Sequence, residues 1–316
     1  MRGEGWTSAF APASIGNVGV GFDMLGLALE GVGDTVSVRK RHENGVTVVA
    51  ALDPEGRPHA ELSLDATTNT ASIAAAALWH AATAPGGLEL VVRKGIPLQS
   101  GMGSSAASAA AAVVATNALL DAPFETAELL PFALEGEKFA SGGLHADNVA
   151  PSLLGGLVFC PPALLPKVVA VKSPPGLSSV LVHPDLKIDT ASARRVLSAS
   201  CTMEQWLTQQ GYLAAFILAC ERGDHRMVAQ SLRDVIIEPQ RAASVPPFHY
   251  VKDAALDAGA LGCSLSGSGP SIFALCEHGR AAAVAEAMTS ACSRTGIACE
   301  SWISQMNCPG AQVLEA

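Results

Sequence analysis

Aromatic side chains and charge are both scarce in this chain of 316 residues: aromatics make up 5% and Asp, Glu, Lys and Arg together 16%. Half of the chain is apolar (49%), so a large core can be buried, and abundant Ala in place of rings implies tight helix packing with small side chains. The length suits two domains. Positive charge is also short. Twenty Lys and Arg stand against 29 Asp and Glu, a net charge of −9, which argues against nucleic-acid or acidic-membrane binding. An anionic ligand would have to be met by local groups. The eight cysteines form no CxxC pair, which excludes the usual zinc and redox motifs and leaves them as buried small hydrophobes of a reducing compartment. The first residues carry Arg2, Glu4 and Trp6 and no apolar signal core. The longest apolar run, residues 106–120, contains Ser108, Thr116 and Asn117 and is too short and too polar for a membrane span. A soluble, cytoplasmic protein is expected, with that run as a core helix.

Residues 35–39 (TVSVR) and 46–50 (VTVVA) have the pattern of paired strands, and helix signals follow at 70–83. A strand at 87–93, the Ala-rich helix, a helix at 124–139 and a strand at 155–160 complete the first half. Prolines at 161, 162, 166, 174 and 175 mark a candidate boundary, giving domains 1–165 and 166–316. Beyond it come strands near 167–172 and 178–183, then helices near 190–198, 204–222, 224–234 and 247–258. Strands then flank a loop at 266–270, before a helix at 280–294 and a last strand near 297–303. The class is α+β, without the regular alternation of a doubly wound sheet.

Three loops carry Gly-x-Gly, at 19–21, 101–103 and 267–269. The middle one is the most informative. Glycine allows φ > 0 and close approach to a ligand, and Ser104 and Ser105 then open a helix whose free N–H groups and dipole favour a phosphate. An ordinary side-chain-capped turn is the alternative. A Walker loop is excluded because Gly103 is followed by Ser104, not Lys. Gly101, Gly103 and Ala106 match G-x-G-x-x-A, with Asp121 further on. However, residues 94–100, including Pro97, separate these glycines from the preceding strand, which ranks a dinucleotide site low.

On the helix after Thr126, Leu130, Ala133 and Leu134 form an apolar stripe, and Glu137 falls in its middle while Glu135 points elsewhere. A buried carboxylate needs a partner. The choices are an internal salt bridge or, beside a phosphate loop, a Mg²⁺ ion.

Three segments together resemble the homoserine kinase family of the GHMP small-molecule kinases: PASIGNVGVGFDMLGLAL (12–29), GIPLQSGMGSSAAS (95–108) and LSGSGPSIFAL (265–275). SGGLHADNVAPSLLGG (141–156), IDTASAR (188–194) and IIEPQR (236–241) narrow the resemblance to homoserine kinase, and it spans nearly the whole chain in order. The first motif reads SIGNVGVG where many members read closer to SSANLGPG, and Ser198 stands where a proline is common. The resemblance implies the GHMP kinase fold, with an N-terminal domain like S5 domain 2, a ferredoxin-like C-terminal domain and the nucleotide between them. It implies transfer of the ATP γ-phosphate to L-homoserine with Mg²⁺, and a homodimer.

By the same resemblance, Asn17, Asp23, His145, Thr190, Arg194 and Arg241 bind the amino acid. Asp23 would pair with the ammonium, and the two arginine forks would clamp the carboxylate. Pro97, Gly101, Met102, Gly103, Ser104 and Ser105 would hold the phosphates, Asn69 would lie near the base, and Ser105 with Glu137 would bind Mg²⁺. Lys94 either reaches a phosphate or is solvated. Asn148 is assigned to positioning, and Asp147 stands as the less favoured base, since phosphoryl transfer can proceed by in-line positioning and charge stabilisation. A kinase for a sugar or isoprenoid alcohol and a non-catalytic nucleotide sensor are the competing hypotheses.

Overall fold

The computed structural model describes residues 5–141, 143 and 145–315. Gly142 and Leu144 of the 141–156 motif, and Arg2 and Glu4, lie outside them. The first half contains β1 (Thr7–Gly16), β2 (Leu25–Arg41), β3 (Gly45–Leu52), α1 (Thr70–Ala81), β4 (Gly87–Arg93), α2 (Ser104–Asn117), α3 (Leu130–Ser141), α4 (Val149–Leu154), β5 (Leu157–Phe159) and β6 (Val169–Val171). The rest comprises β7 (Leu177–Pro184), α5 (Thr190–Arg195), α6 (Met203–Arg222), α7 (His225–Ser231), α8 (Glu238–Arg241), α9 (Phe248–Asp257), β8 (Gly262–Leu265), β9 (Ile272–Glu277), α10 (Ala281–Ser293), β10 (Cys299–Gln305) and β11 (Gln312–Val313).

The first sheet runs β11-β1-β2-β4-β3, with β5 added to β2 and β6 to β5. Its pairs are antiparallel except β3 and β4, which are parallel and joined through α1. The second sheet runs β10-β7-β9-β8, all antiparallel. In its own chain order that is 4-1-3-2, with helices between its first and second and between its third and fourth strands, the ferredoxin-like βαββαβ arrangement. The cut expected at 165/166 falls in the β5–β6 hairpin, and β11 brings the chain end back to the first sheet. Among the described residues no helix is long and apolar enough to cross a membrane.

The alternation in residues 35–39 is real, with Val36 and Val38 buried. The strand extends much further toward its N-terminus, and β1 gives no alternating signal. Both stretches are buried on two faces, and Pro12 sits at a register shift between Pro12 and Ala13. Of the cysteines, Cys201 is exposed and Cys299 half-buried. The other six are buried as expected.

Helix α2 is the centre of the first unit. Ala106, Ala107, Ala109, Ala110, Ala111 and Ala112 are all fully buried, and their methyl-sized faces let α2 lie between the β1–β2 surface and helices α1 and α3. Gly136 is the tightest point of that packing. A Cβ there would lie 2.5 Å from the Thr70 carbonyl oxygen and 3.2 Å from the Ala109 Cβ. The glycine lets α3 approach the start of α1 and carries Glu137, its neighbour, into the interior. Gly136→Ala would gain about 1 kcal/mol of helix propensity, but overpacking costs about 1–3 kcal/mol. The expected outcome is a lower denaturant midpoint with an unchanged m-value, measured by urea unfolding.

Candidate active site

The three glycine-rich loops meet at one place. The Gly267 N–H donates to the Gly16 carbonyl at 3.0 Å, and Asn17 Nδ2 donates to the Gly267 carbonyl at 3.0 Å. Ser266 Oγ donates to the Gly101 carbonyl at 2.7 Å, and the Ser271 N–H to the Ser100 carbonyl at 3.2 Å. Gly101 and Gly103 both have positive φ (76° and 68°), and added Cβ atoms would meet the Ser266 oxygen at 2.5 Å and Ser14 Oγ at 2.2 Å. Only glycine fits either position. Gly103 is the N-cap of α2, and no side chain caps that helix. The capped-turn alternative is therefore set aside. The first turn of α2 opens instead on a cleft of about 410 Å³ between the two sheets' loops, with unspent amide donors and the positive end of the dipole. Asp121 is exposed beyond the other end of α2, about 20 Å along the helix, which removes the dinucleotide reading.

Ser105 lies in the first turn of α2 and donates its hydroxyl to Glu137 Oε2 at 2.7 Å. Glu137 is buried on the stripe of Leu130, Ala133 and Leu134, as the periodicity predicts. Burial pushes its carboxyl up to about 7. The Ser105 hydrogen bond opposes this, the nearby Asp147 reinforces it and Lys94 works against it. A carboxylate so placed is poised to be stabilised by a cation.

On the opposite wall Asp23 forms a two-pronged ion pair with Arg194, at 2.9 and 3.0 Å. The residue expected to take an ammonium and one expected to take a carboxylate thus hold each other across the cleft. His145 Nδ1 lies 3.5 Å from Asp23 Oδ2 and makes no hydrogen bond, and burial lowers its pKa. Arg241 is buried, donates to the Gly267 carbonyl at 3.0 Å, and is held below its ordinary pKa by burial and by Arg194. Both guanidinium groups lie over the Phe22 ring, at 5.4 and 5.2 Å. Thr190 opens α5 at the cleft rim.

Asp147 and Asn148 precede α4 and pack on Gly16, where a Cβ would come within 2.8 Å of both side chains. Asp147 Oδ2 accepts the Asn17 N–H at 3.1 Å. Burial and then the Asp23 charge raise its pKa to about 7, outweighing that hydrogen bond and Arg194. Asn148 Oδ1 accepts from Ser14 Oγ at 3.0 Å. Asn17 is committed to its own loop: its Oδ1 accepts the Asp23 N–H at 3.0 Å, and its φ of 66° is one that asparagine tolerates.

The cleft therefore gathers Asn17, Asp23, His145, Asp147, Asn148, Thr190, Arg194 and Arg241 with Gly101, Gly103, Ser104, Ser105 and Glu137. Three other expected residues do not line it. Asn69 caps α1, accepting from the Ala71 and Ser72 amides and donating to the Ser63 carbonyl. Met102 is fully buried, and its carbonyl anchors the Ser14 N–H at 3.0 Å. Pro97 is half-buried in the turn before the loop. Lys94 neither reaches the cleft nor meets solvent. It is buried in an ion pair with Asp34. Phe22 and Asp34 were not found from sequence. Phe22 sits beside a singled-out aspartate, and Asp34 looks like any polar residue of an alternating strand.

A two-unit α+β fold with an uncapped, glycine-flanked helix start in the cleft defines a small-molecule kinase of the GHMP type. The model of the GHMP kinases N terminal domain matches residues 69–156, and that of the GHMP kinases C terminal domain residues 216–294. The chain is 45% identical to homoserine kinase of Xanthomonas campestris pv. campestris (strain B100), over 99% of this chain and 95% of that protein. It is 39% identical to homoserine kinase of Chlorobaculum tepidum, over 97% and 98%. The crystal structure of homoserine kinase from Cytophaga hutchinsonii superposes with a TM-score of 0.93 at 38% identity, covering 99% of each chain. The chain belongs to the homoserine kinase family.

The two raised carboxyls have a stability consequence. Both bind protons in the folded state at pH values where the unfolded chain has released them, so the stabilisation they give is full at low pH and is lost as pH rises through about 7. The melting temperature of the ligand-free protein is expected to fall between pH 5.5 and 8, and Glu137→Gln to reduce that fall. An equal pH dependence in the variant would contradict the assignment.

Proposed function

We propose that this protein transfers the γ-phosphate of ATP to the side-chain hydroxyl of L-homoserine, giving O-phospho-L-homoserine for threonine synthesis. The observation that carries this reading is one cleft that joins an uncapped helix start to a set of acids and arginines fitted to a zwitterion. The polyphosphate lies over the first turn of α2, where Gly101 and Gly103 admit it closely. Arg241 and Arg194 face the substrate carboxylate. Asp23 trades its fork with Arg194 for the ammonium, and Asp147, the buried acid beside it, faces the same cation. Asn148 orients the acceptor hydroxyl. That oxygen forms a bond to the γ-phosphorus while the bond to the ADP oxygen breaks, and the hydroxyl proton passes late to an oxygen of the transferred phosphoryl group and from there to water, without a dedicated protein base, as a loose transition state permits.

Mg²⁺ fits the donor set. The Ser105 hydroxyl and Glu137 carboxylate are hard oxygens 2.7 Å apart at the start of α2. No group of three or more His, Cys, Asp or Glu gathers as a cage among the described residues, which matches an ion completed by phosphate oxygens and water. When bound, the ion neutralises charge on the β- and γ-phosphates. Asn69, Pro97 and Met102 act on the nucleotide through the backbone they hold. The same reading makes the protein a cytoplasmic homodimer, as the family resemblance implies.

Coupled ADP release tests the function. Turnover is expected with homoserine and Mg²⁺ and little with mevalonate, shikimate or galactose, and its absence at millimolar homoserine would sink the proposal. The site roles separate by variant. Arg241→Ala is expected to raise KM for homoserine roughly 10–100-fold, the worth of a charged hydrogen bond of about 1.5–3 kcal/mol, with KM for ATP little changed. Because Asp147 is protonated below about 7, wild-type KM for homoserine should fall as pH rises through that value, and Asp147→Asn should remove the fall. A kcat loss of a few-fold in Asp147→Asn fits this role, whereas roughly 10²–10⁴-fold would make Asp147 a general base.

A further inference from the structure

Asp34, on β2, is fully buried and accepts from four donors. Its Oδ1 takes the Gly95 and Ile96 amides at 3.0 and 3.2 Å, and its Oδ2 takes Ser108 Oγ at 2.6 Å and the Lys94 ammonium. Lys94 spends its other protons on the Ser104 carbonyl at 2.6 Å and on Ser108 Oγ at 2.9 Å. Ser104 in turn donates its hydroxyl to the Ile96 carbonyl at 3.1 Å. All of the ammonium's donors are used, so it has none left for a phosphate.

Two features of this cluster work against stability. A buried ion pair is often no better than an apolar pair of the same shape, and a cation bonded into the first turn of a helix opposes the macrodipole. The sign that is wrong for the helix is right for an anion at its N-terminus. The carboxylate takes the amides of the turn at Gly95 and Ile96 on one oxygen, and on the other the hydroxyl of Ser108, one turn further into α2 than Ser104. The buried dipole therefore points its positive end at Ser104, and the hydroxyl and carbonyl of that residue are both tied down beneath the loop.

We propose that Lys94 and Asp34 are positioning residues for the nucleotide: the pair fixes the phosphate-binding turn through Ser104 and places a positive charge under it, without touching ligand. This rests on the reading of residues 101–105 as the ATP phosphate loop. The test is steady-state kinetics and thermal melting of Lys94→Met, Asp34→Asn and the neutral double variant Asp34→Asn/Lys94→Met. KM for ATP is expected to rise about tenfold or more in Lys94→Met and in the double variant, with KM for homoserine within about twofold. Asp34→Asn, which keeps the ammonium, should raise it less. A folded Lys94→Met or double variant with KM for ATP within about twofold of wild type, or with both KM values moving together, overturns the proposal. If neither folds, Ser108→Ala decides, with a rise of about threefold in KM for ATP alone expected and no change overturning it. A wild type that fails to turn over ATP and homoserine would sink the functional reading instead.

Discussion

The open first turn of α2 is the reference to which everything else in the cleft is set. It stays open because Gly103 caps the helix with a left-handed backbone and no side chain. Ser104 and Ser105, the natural cappers in sequence, are directed elsewhere, one to the Ile96 carbonyl and the other to Glu137. An uncapped helix end costs stability. The chain offsets that cost by burying α2 almost entirely in small side chains and by clasping its start among three loops from different parts of the sequence. The clasp also joins the two sheets. Gly267, in the turn of the ferredoxin-like unit, bonds to Gly16 and Asn17 of the first unit, and Ser266 to Gly101. The loops of the two units are thereby registered to each other by backbone and short side-chain hydrogen bonds.

Charge in the cleft is arranged against the overall balance of the chain. A net charge of −9 disfavours any anionic ligand at long range, so the cleft must meet negative charge with local groups: the amides and dipole at the start of α2, and the guanidinium groups of Arg194 and Arg241. Both arginines lie over the Phe22 ring; Asp23 holds Arg194, and the Gly267 and Ala193 carbonyls hold Arg241. An amino acid brings both of the charges needed to exchange that internal pair for two external ones. A sugar or isoprenoid alcohol brings no ammonium, and breaking the Asp23–Arg194 fork for it would leave a half-buried carboxylate unmatched.

Much of the site was legible because its chemistry is written in contiguous motifs. Glu137 was found by periodicity alone, since an acid on the line of Leu130, Ala133 and Leu134 is visible without coordinates. The glycines at 101 and 103 announced a close approach. What could not be read was long-range pairing. Asp34 and Lys94 are 60 residues apart in sequence and look like a strand residue and a lysine that either reaches a phosphate or is solvated. Asn69 was singled out only by the family resemblance, and the cap its side chain forms on the helix it precedes was not foreseen. Strand β1 was hidden for a different reason. Buried on both faces and carrying Pro12, it has neither alternation nor strand propensity to show.

The three buried acids around α2 show how architecture and function can be told apart by physical environment. All are carboxylates removed from water. Asp34 has an ammonium in contact and two amides on its other oxygen, so its charge is met wholly within the chain. At Glu137 and Asp147 burial outweighs the hydrogen bonds and charges that would lower their pKa, and both are pushed up to about 7. Two such groups in one cleft are a standing cost to the free protein. Above about pH 7 a nearby cation would relieve that cost, and on the proposed reading the two acids face different ones: Glu137 the ion beside Ser105, and Asp147 the ammonium beside Asp23. On the reading proposed above, the same burial that weakens the ligand-free protein would make the site selective, because a ligand lacking either cation would leave one of the acids as it was.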